Sequence, residues 1–357
     1  MKPKTALIYS EKFLEHKTGM HCENPARLKI ALEALKNFGL LSEDKCIIVE
    51  PREATVEELE LVHDRSYIEE IKRFCLSGGG YYDGDTRLSK ESYDVASYAV
   101  GGMLKICELI FKGEYQNAFG LLRPPGHHAG IFGRAMEASS VGFCVFNNVA
   151  VTTAFTLKKQ LAKKVLIFDF DVHHGNGTQE IFNSSPQVLY VSFHERGIYP
   201  GTGYENQLGE GEGRGYKVNV PLPHGSDDTA YLKALEEVVL PVAEEFKPDL
   251  VLLSAGFDAH HSDMISSINI SAECYRKMTE AMVKLSKKHC NGRLIGFLEG
   301  GYSPETLSKS FPTTIAALTE TVLPIEDKKT SASSSIRSRA EETVRNLRNI
   351  LSKYWKL

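Results

Sequence analysis

The chain has 357 residues, of which 42% are hydrophobic and 25% are charged, a composition typical of a soluble globular protein with a substantial core. A formal net charge of −4 and a pI near 6.3 give no basic surface for direct nucleic-acid binding. No apolar run reaches membrane-spanning length, and residues 1–10 lack the apolar core of a signal peptide. The seven cysteines form no CxxC pair, which predicts reduced thiols and a cytoplasmic location.

Eight short apolar runs with β-strand character recur along the chain, and helical patterns separate most of them. The runs are residues 5–9, 46–49, 118–122, 165–170, 188–193, 217–220, 250–253 and 294–298. Helices are predicted at residues 24–39, 89–112, 145–160, 228–245 and 271–289, with another from Ser303 and two shorter ones between residues 55 and 77. The stretch 78–88 is rich in glycine and is predicted to be a loop. This alternation predicts an α/β fold with one large, mainly parallel sheet.

No linker divides the core, so residues 1–325 are predicted to form a single domain. The one break in composition is a polar loop at residues 326–338. After it, an apolar stripe with helical spacing predicts that residues 339–357 form a helix docked on the same domain, with a partner-binding helix as the alternative. The stripe consists of Val344, Leu347, Ile350, Leu351 and Tyr354.

The segment IFDFDVHHGNGT at residues 167–178 joins an apolar strand to a dense group of acids and histidines. Strand alternation places Asp169, Asp171 and His173 on one face, so a carboxylate and an imidazole two residues apart can approach the same metal ion. A polar loop after a core strand is the simpler alternative, but such loops seldom carry two acids and two histidines within six residues. The segment therefore predicts a metal site.

A catalytic zinc keeps three protein ligands and one open position. Asp258 is the best candidate for the third ligand, because it follows an apolar strand at the sheet edge where open α/β sheets build their sites. Two oxygens and one nitrogen suit Zn²⁺, and Fe²⁺ or Co²⁺ also fit. The alternative role for Asp258 is a helix cap.

An adjacent pair, His127 and His128, follows RPPG, and in a metal hydrolase such a pair acts as base and acid around the attacking water. Asp169 and Asn176 are natural partners for the two imidazoles. An acid raises the basicity of its histidine more than an amide does, so the two histidines are expected to differ in protonation.

A tyrosine follows two glycines in the motif EGGY, which lets Tyr302 reach into a cleft and stabilise an oxyanion. The remaining paired histidines, His174, His260 and His261, are expected to be neighbours of the site rather than ligands.

Taken in order, the motifs RPPGHHA, FDFDVHHGNGTQ, SFH, YPGTG, SAGFDA and EGGY resemble those of the zinc-dependent histone deacetylase superfamily. HCENPARL, LVHDRSYI, DGDT and GFCVFNN extend the likeness, which covers residues 5–320, and Asn176 and LEGGY are similar to the class II branch. The resemblance implies the arginase–deacetylase α/β fold, a single domain with a central eight-stranded parallel sheet flanked by helices. It also implies that residues 1–325 are the catalytic domain.

The resemblance implies roles for individual residues as well. Zn²⁺ would be bound by Asp171, His173 and Asp258. His127 and His128 would be the acid–base pair, with His128 as general base, and Tyr302 would polarise the acyl carbonyl. The substrate would be lined by Gly142, Phe143, Tyr199 (usually Phe in the family), Asp83 at the rim and Ile265 near the gatekeeper position. A structural K⁺ would be ringed by Asp169, Asp171, His173, Ser192 and Phe193.

The implied reaction is hydrolysis of an acetamide to acetate and a free amine, on acetyl-lysine of a protein or peptide. A small acetyl-amine, such as an acetylpolyamine, is the first alternative substrate. The resemblance places Ile265 near the gatekeeper position, where polyamine-selective relatives of the eukaryotic type have Glu, whereas Glu137 could supply an acid at the tunnel mouth.

Two other functions are alternatives to the deacetylase. One is an inactive acyl-lysine-binding module, although the ligand set and Tyr302 are intact. The other is a two-manganese ureohydrolase, although Gly175 and His260 stand where its extra ligands should be. No membrane or nucleic-acid partner is expected, and a homo-oligomer is compatible with the sequence.

Overall fold

The computed structural model describes residues 5–357, so the first four residues of the stretch predicted to lack a signal peptide lie outside the described range. The strands are β1 (Thr5–Ile8), β2 (Cys46–Val49), β3 (Gly80–Tyr81), β4 (Arg87–Leu88), β5 (Asn117–Gly120), β6 (Val165–Asp169), β7 (Val188–Glu195), β8 (Lys217–Leu222), β9 (Leu250–Ala255) and β10 (Leu294–Leu298). Eight of them form one sheet in the order β2-β1-β5-β10-β9-β6-β7-β8, with every pair parallel. The predicted α/β fold with an eight-stranded parallel sheet is confirmed.

Helices connect the strands and cover the sheet. They are α1 (Ala26–Asn37), α2 (Val56–Leu59), α3 (Arg65–Leu76), α4 (Ser92–Phe111), α5 (Asn148–Lys158), α6 (Asn176–Phe182), α7 (Asp228–Ala234), α8 (Leu240–Phe246), α9 (Ala272–Cys290), α10 (Pro304–Leu318) and α11 (Ser334–Leu351). A π-helical turn, Leu235–Val239, joins α7 to α8, so the helix predicted at 228–245 is one run with an irregular middle. Within residues 5–357, none of these helices has the length and apolar character needed to cross a membrane.

The strands of the sheet centre are apolar because helices cover both faces. Every residue of β5, β6, β7, β9 and β10 is buried. Parallel strands point their carboxyl ends to one edge of the sheet, where loops collect side chains from distant parts of the chain. This edge carries the residues that the sequence singles out.

Four local predictions need correction. The helix predicted from residue 145 begins at Asn148, because the Asn147 side chain caps it by accepting from the backbone N of Ala150. The loop predicted at residues 78–88 contains the antiparallel pair β3–β4. The segment after Gly175, for which a polar loop was the simpler alternative, begins α6.

The fourth correction concerns the C-terminal segment. The loop predicted at 326–338 ends at Ser333, whose hydroxyl accepts from the backbone N of Ile336 and starts α11 five residues earlier than predicted. The helix ends at Leu351. It packs against β8 and α7, and Trp355 Nε1 beyond it donates to the carbonyl of Gly215 at 2.8 Å.

Candidate metal centre and active site

Three buried side chains meet at the carboxyl edge of the sheet. Asp171 and His173 follow β6, Asp258 follows β9, and one ligand atom from each lies within 4.8 Å of the other two. His173 Nδ1 is 3.0 Å from Asp171 Oδ1 and 3.2 Å from Asp258 Oδ2. The three residues predicted as metal ligands are therefore together.

Backbone amides hold both carboxylates in place. Gly300 N donates to Asp171 Oδ2 at 2.8 Å, and Val172 N donates to Asp258 Oδ1 at 2.9 Å. The carboxylates also demand glycine around them, because a Cβ at Gly256 would lie 2.0 Å from Asp171 Oδ2 and one at Gly300 would lie 2.2 Å from Asp258 Oδ2. The hydrogen bond between Gly300 N and Asp171 joins residues that are 129 positions apart in the sequence.

The chemistry of this group fits a bound cation. Asp258 Oδ2 is buried and makes no well-aligned hydrogen bond among the described residues. Its contact with His173 Nδ1 at 3.2 Å is to an imidazole that Asp171 Oδ1 also shares at 3.0 Å, so one ring serves two buried carboxylates. Burial, and then the charge of Asp171, raises the pKa of Asp258 to about 6. Burial lowers the pKa of His173, but the two carboxylates outweigh burial and raise it to about 10. Two buried acids that compete for one positive partner are a set that a divalent cation would satisfy.

The His127–His128 pair lies beside this group, with its ring centroids 4.0 Å apart. His127 Nδ1 is 3.1 Å from Asp169 Oδ2, and His128 Nδ1 donates to Asn176 Oδ1 at 2.8 Å. Asn176 is oriented by its own amide, which donates to the carbonyl of Ala135 at 2.8 Å. Each histidine thus has the partner that the sequence predicts.

The two histidines differ electrostatically. Burial lowers the pKa of His127, but the charges of Asp171 and Asp169 outweigh burial and raise it to about 10. Burial and the neighbouring charges of His127 and His173 hold the pKa of His128 well below its usual value. At neutral pH His128 is therefore neutral and free to accept a proton, whereas the neighbouring carboxylates favour the charged form of His127.

Tyr302 follows β10 and faces the same group. Its backbone N donates to Asp263 Oδ2 at 2.6 Å, and the Arg27 guanidinium lies 4.9 Å from its ring centroid. Burial, and then the charge of Asp258, raises the pKa of the phenol well above its usual value. The phenol is therefore a permanent hydrogen-bond donor at neutral pH.

An aromatic wall stands on each side of the site. The Phe143 ring packs edge-on against Tyr302 at 5.7 Å, and the Tyr199 ring packs edge-on against His128 at 4.9 Å. The Tyr199 hydroxyl donates to the carbonyl of Ser140 at 2.9 Å. Gly142 lies between these walls, so the structure brings together three of the predicted tunnel residues.

Comparison with known proteins decides the family. The histone deacetylase domain model matches residues 21–318. A probable deacetylase from Archaeoglobus fulgidus is 37% identical over 302 residues, covering 84% of this chain and 82% of that protein. Histone deacetylase 15 from Arabidopsis thaliana is 36% identical over 364 residues, covering 98% of this chain and 62% of its own. The crystal structure of the HDA15 HD domain superposes with a TM-score of 0.88 at 36% identity, covering 99% of this chain and 95% of that one.

This chain belongs to the histone deacetylase family. The family match supports a hydrolytic deacetylase and confirms the resemblance that the motifs indicate. Among residues 5–357, the group of potential ligands at this place consists of Asp171, His173 and Asp258, without Gly175 or His260.

The predicted rim residues of this histone deacetylase family member lie in loops around the tunnel walls. Asp83 Oδ2 accepts from Val141 N at 2.8 Å, and its Oδ1 accepts from Thr86 N at 2.8 Å, so the carboxylate braces the tunnel loop. Ile265 is half-buried, and its backbone N donates to Asp263 Oδ1 at 3.3 Å. Glu137 is exposed in the loop that precedes Ser140.

Some of the residues predicted to surround a potassium ion are neighbours in the structure. Asp169 is in register with Ser192 of β7, and its Oδ1 accepts from the backbone N of Asp171 at 3.2 Å. Ser192 Oγ lies 2.9 Å from His194 Nδ1. Phe193 is the next buried residue of β7. The potassium site stays a prediction.

The other paired histidines of the deacetylase are bound elsewhere, as neighbours of the site. His174 Nδ1 lies 2.8 Å from Thr202 Oγ1 and its Nε2 lies 2.9 Å from Gln179 Oε1. The Nε2 atoms of His260 and His261 each lie 2.9 Å from a different oxygen of Asp327.

Several residues around the deacetylase site were not predicted. Asp263 holds the backbone at Tyr302, Arg27 Nε donates to the carbonyl of Gly301 at 2.6 Å, and the Tyr190 hydroxyl donates to Asp169 Oδ2 at 3.0 Å. Glu299 accepts from two backbone amides next to the histidine pair. Glu299 lies in the motif LEGGY and Arg27 in HCENPARL, so position within a motif was the available signal.

Proposed function

We propose that this protein is a zinc-dependent deacetylase that hydrolyses the acetamide of acetyl-lysine, in a protein or peptide, to a free amine and acetate. The observation that carries the proposal is the buried Asp171–His173–Asp258 group, in which two carboxylates share one imidazole, at the same sheet edge as a neutral His128 and a protonated Tyr302. Zn²⁺ held by these three residues would supply a Lewis acid for the acyl carbonyl and for the attacking water.

The protein's own residues account for the proton transfers. His128, neutral at neutral pH, accepts a proton from the attacking water. The Tyr302 phenol donates a hydrogen bond to the oxygen that becomes negative as the carbonyl is attacked. One histidine of the pair then gives a proton to the departing amine, and Asp169 stabilises the charged ring of His127 throughout.

A structural K⁺ ringed by Asp169, Asp171, His173, Ser192 and Phe193 belongs to the same proposal. The adjacent placement of Asp169 and Ser192 on β6 and β7 supports it. A cytoplasmic location is likewise a proposal, and the seven free cysteines, six of them buried, support a reducing compartment.

The mouth of the site favours a peptide over a polyamine. Asp83 Oδ2 accepts from Val141 N, and Asp85 Oδ2 accepts from the Ser140 hydroxyl at 2.7 Å, so both acids are held against the tunnel loop. Met20 and Met264, in the loops of His21 and Ile265, are fully exposed and offer apolar contact to a peptide. Glu137 favours the polyamine alternative, because it is exposed and has no partner within residues 5–357.

A substrate comparison tests the proposal. Purified protein with its zinc content measured is assayed on acetyl-lysine peptides, acetylputrescine and N-acetylated small amines, and kcat/KM is expected to be highest for the peptides. Faster turnover of acetylputrescine would select the polyamine alternative, and activity that does not follow the zinc content would refute zinc dependence.

Tyr302→Phe tests the role of the phenol in the same assay, because the substitution removes one oxygen and retains the ring. Loss of a positioned oxyanion donor lowers kcat by about 10²–10³-fold. The zinc content is expected to stay at the wild-type value. Activity that survives in Tyr302→Phe would contradict the oxyanion role.

A further inference from the structure

We propose that Glu299 is a positioning residue that fixes the backbone of the His127–His128 pair. The inference rests on the roles proposed above for the two histidines. Glu299 follows β10, and the histidine pair follows β5, which is the neighbouring strand in the sheet. Both hydrogen bonds of the Glu299 carboxylate to this loop go to main-chain amides, and its charge also helps to raise the pKa of His127, so Glu299 acts through the histidine pair.

One carboxylate oxygen holds two consecutive amides. Glu299 Oε2 accepts from Gly126 N at 2.7 Å and from His127 N at 3.2 Å. The preceding residues, Pro124 and Pro125, have no N–H, so Gly126 carries the first amide proton of the loop after Arg123. These two amides have no other acceptor among residues 5–357, and an unpaired buried amide is costly.

The next amide along the loop is held as well. His128 N donates to the Cys144 thiol sulfur at 3.5 Å. A carbonyl of the loop is also bonded, because Thr178 N donates to the carbonyl of His127 at 3.1 Å. Side chains therefore hold the N–H groups of residues 126–128, and Glu299 supplies two of the three bonds.

Burying the Glu299 carboxylate costs free energy, which indicates that this residue has a role beyond stability. Its side chain is fully buried, and its Oε1 has no hydrogen-bond partner within the described chain. Burial raises the pKa of Glu299 to about 7, which shows how unfavourable the ionised form is in this place. An apolar residue would avoid this penalty, but it would leave the amides of Gly126 and His127 unpaired.

A second metal site is the competing explanation, because His127, Cys144 and Glu299 also bring potential ligand atoms within 4.8 Å of one another. The Cys144 sulfur accepts from His128 N, and Glu299 Oε2 accepts from Gly126 N and His127 N, so two of the three candidate ligands already have partners. Metal binding would also take Glu299 and Cys144 away from the three amides. The geometry therefore favours positioning, and a zinc content near one per chain is expected.

Three substitutions of Glu299 separate the acceptor from the charge. Glu299→Gln retains an acceptor oxygen at the same reach, Glu299→Asp retains the charge but withdraws the oxygen by one methylene, and Glu299→Met retains the length without an acceptor. We expect kcat to fall by about 10²-fold in Glu299→Asp and Glu299→Met, because a misplacement of about 1 Å costs that much. Glu299→Gln is expected to keep kcat within about tenfold of wild type, since the acceptor remains.

The split between kinetic constants distinguishes positioning from general destabilisation. KM for an acetyl-lysine peptide and the zinc content are expected to stay near the wild-type values, because substrate contacts and metal ligands are untouched. Asp249 provides the control: its Oδ2 accepts from the consecutive amides of Lys163 and Lys164, at 2.8 and 3.0 Å, at the opposite edge of the sheet. Asp249→Asn and Asp249→Leu are expected to lower the melting temperature without changing kcat.

Unchanged kcat in Glu299→Met, or in Glu299→Asp if Glu299→Met does not fold, overturns the proposal. Equal losses in Glu299→Gln and Glu299→Asp also overturn it, because the amide acceptor would then be irrelevant. A zinc content that drops from two per chain to one in Glu299→Met would establish the second metal site instead. Wild-type protein without activity on any acetylated substrate would refute the proposed function, and that result is independent of every Glu299 variant.

Discussion

At position 142 the active site leaves no room for a side chain. Gly142 has φ of +52°, a left-handed conformation that other residues rarely adopt. A Cβ there would lie 2.5 Å from Cδ2 of His128 and 2.9 Å from the hydroxyl of Tyr199. The His128 ring and the Tyr199 ring can therefore occupy their observed positions only because residue 142 has no Cβ.

We expect Gly142→Ala to lower kcat by about 10²-fold, because the methyl group must displace the His128 ring. The measurement is steady-state kinetics together with the melting temperature. Gly113→Ala is the matched control, since Gly113 is also left-handed, at +76°, and has no atom within 4 Å of the added Cβ. The control is expected to lose stability through backbone strain alone and to retain kcat. Equal kcat in the two variants would show that the close contact does not govern His128.

Single residues differ in how far the sequence reveals them. Asp171, His173 and Asp258 are predictable because each is a reactive residue after a buried strand, and parallel strands end at one edge. Asp263 and Glu299 are not, because their partners are backbone amides, and any residue type supplies an amide. The bracing role of Asp83 escapes the sequence for the same reason, since its oxygens bind Val141 N and Thr86 N.

Between elements, Asp327 ties the segment before α11 to the loop that carries Asp258. Besides the two histidines, its carboxylate accepts from Ala272 N at 2.9 Å and from the Lys309 ammonium at 3.1 Å. Burial raises the pKa of Asp327, but the bonds from Ala272 N, His261 and His260 outweigh burial and hold it below its usual range. One ionised side chain therefore joins α9, α10 and the loop after β9 to the segment that leads to α11.

Asp327→Asn is expected to reduce the free energy of unfolding by about 1.5–3 kcal/mol, the contribution of buried hydrogen bonds to a charged group. Urea denaturation at pH 7 measures this change. Asp44→Asn is the control, because the Asp44 carboxylate is exposed and accepts only from the Ser42 hydroxyl; a surface change of this kind stays within about 0.5 kcal/mol. A loss no larger than that of the control would show that the four bonds to Asp327 are replaced by water.

Elements with buried apolar faces are the ones that the sequence reveals. The inner strands of the sheet appear as apolar runs because helices bury both of their faces, and the edge strand β2 is still apolar although Ile48 is 42% exposed. The β3–β4 pair escapes because each strand has two residues in a glycine-rich stretch. The start of α11 cannot be predicted from the sequence, because SASSS offers several serines that could cap the helix. The structure shows that Ser333 is the cap.

For the molecule as a whole, a bound cation is expected to contribute to stability. Asp171 and Asp258 bring two carboxylates into the buried carboxyl edge of the sheet, where a divalent ion would offset their repulsion. A ligand present at 100 times its dissociation constant stabilises the native state by about 2.7 kcal/mol. We expect a chelator such as dipicolinate to lower the melting temperature by several degrees, and added Zn²⁺ to restore it.

Asp258→Ala is the control for the chelation experiment, because it removes one proposed ligand. Its melting temperature is expected not to respond to chelator or to added Zn²⁺. A chelator that leaves the wild-type melting temperature unchanged while zinc is removed would contradict the stabilising role of the metal.

The separation of the two sheet edges has a consequence for protein engineering. The residues of the proposed active site lie at the carboxyl edge, whereas residues 112–114, which enter β5 from the amino edge, are exposed. An added Cβ at Gly113 meets nothing within 4 Å. Exposed turns of this kind tolerate inserted sequence. A fluorescent protein, affinity tag or surface-immobilisation handle placed there would leave the mouth of the site accessible to a large acetylated protein.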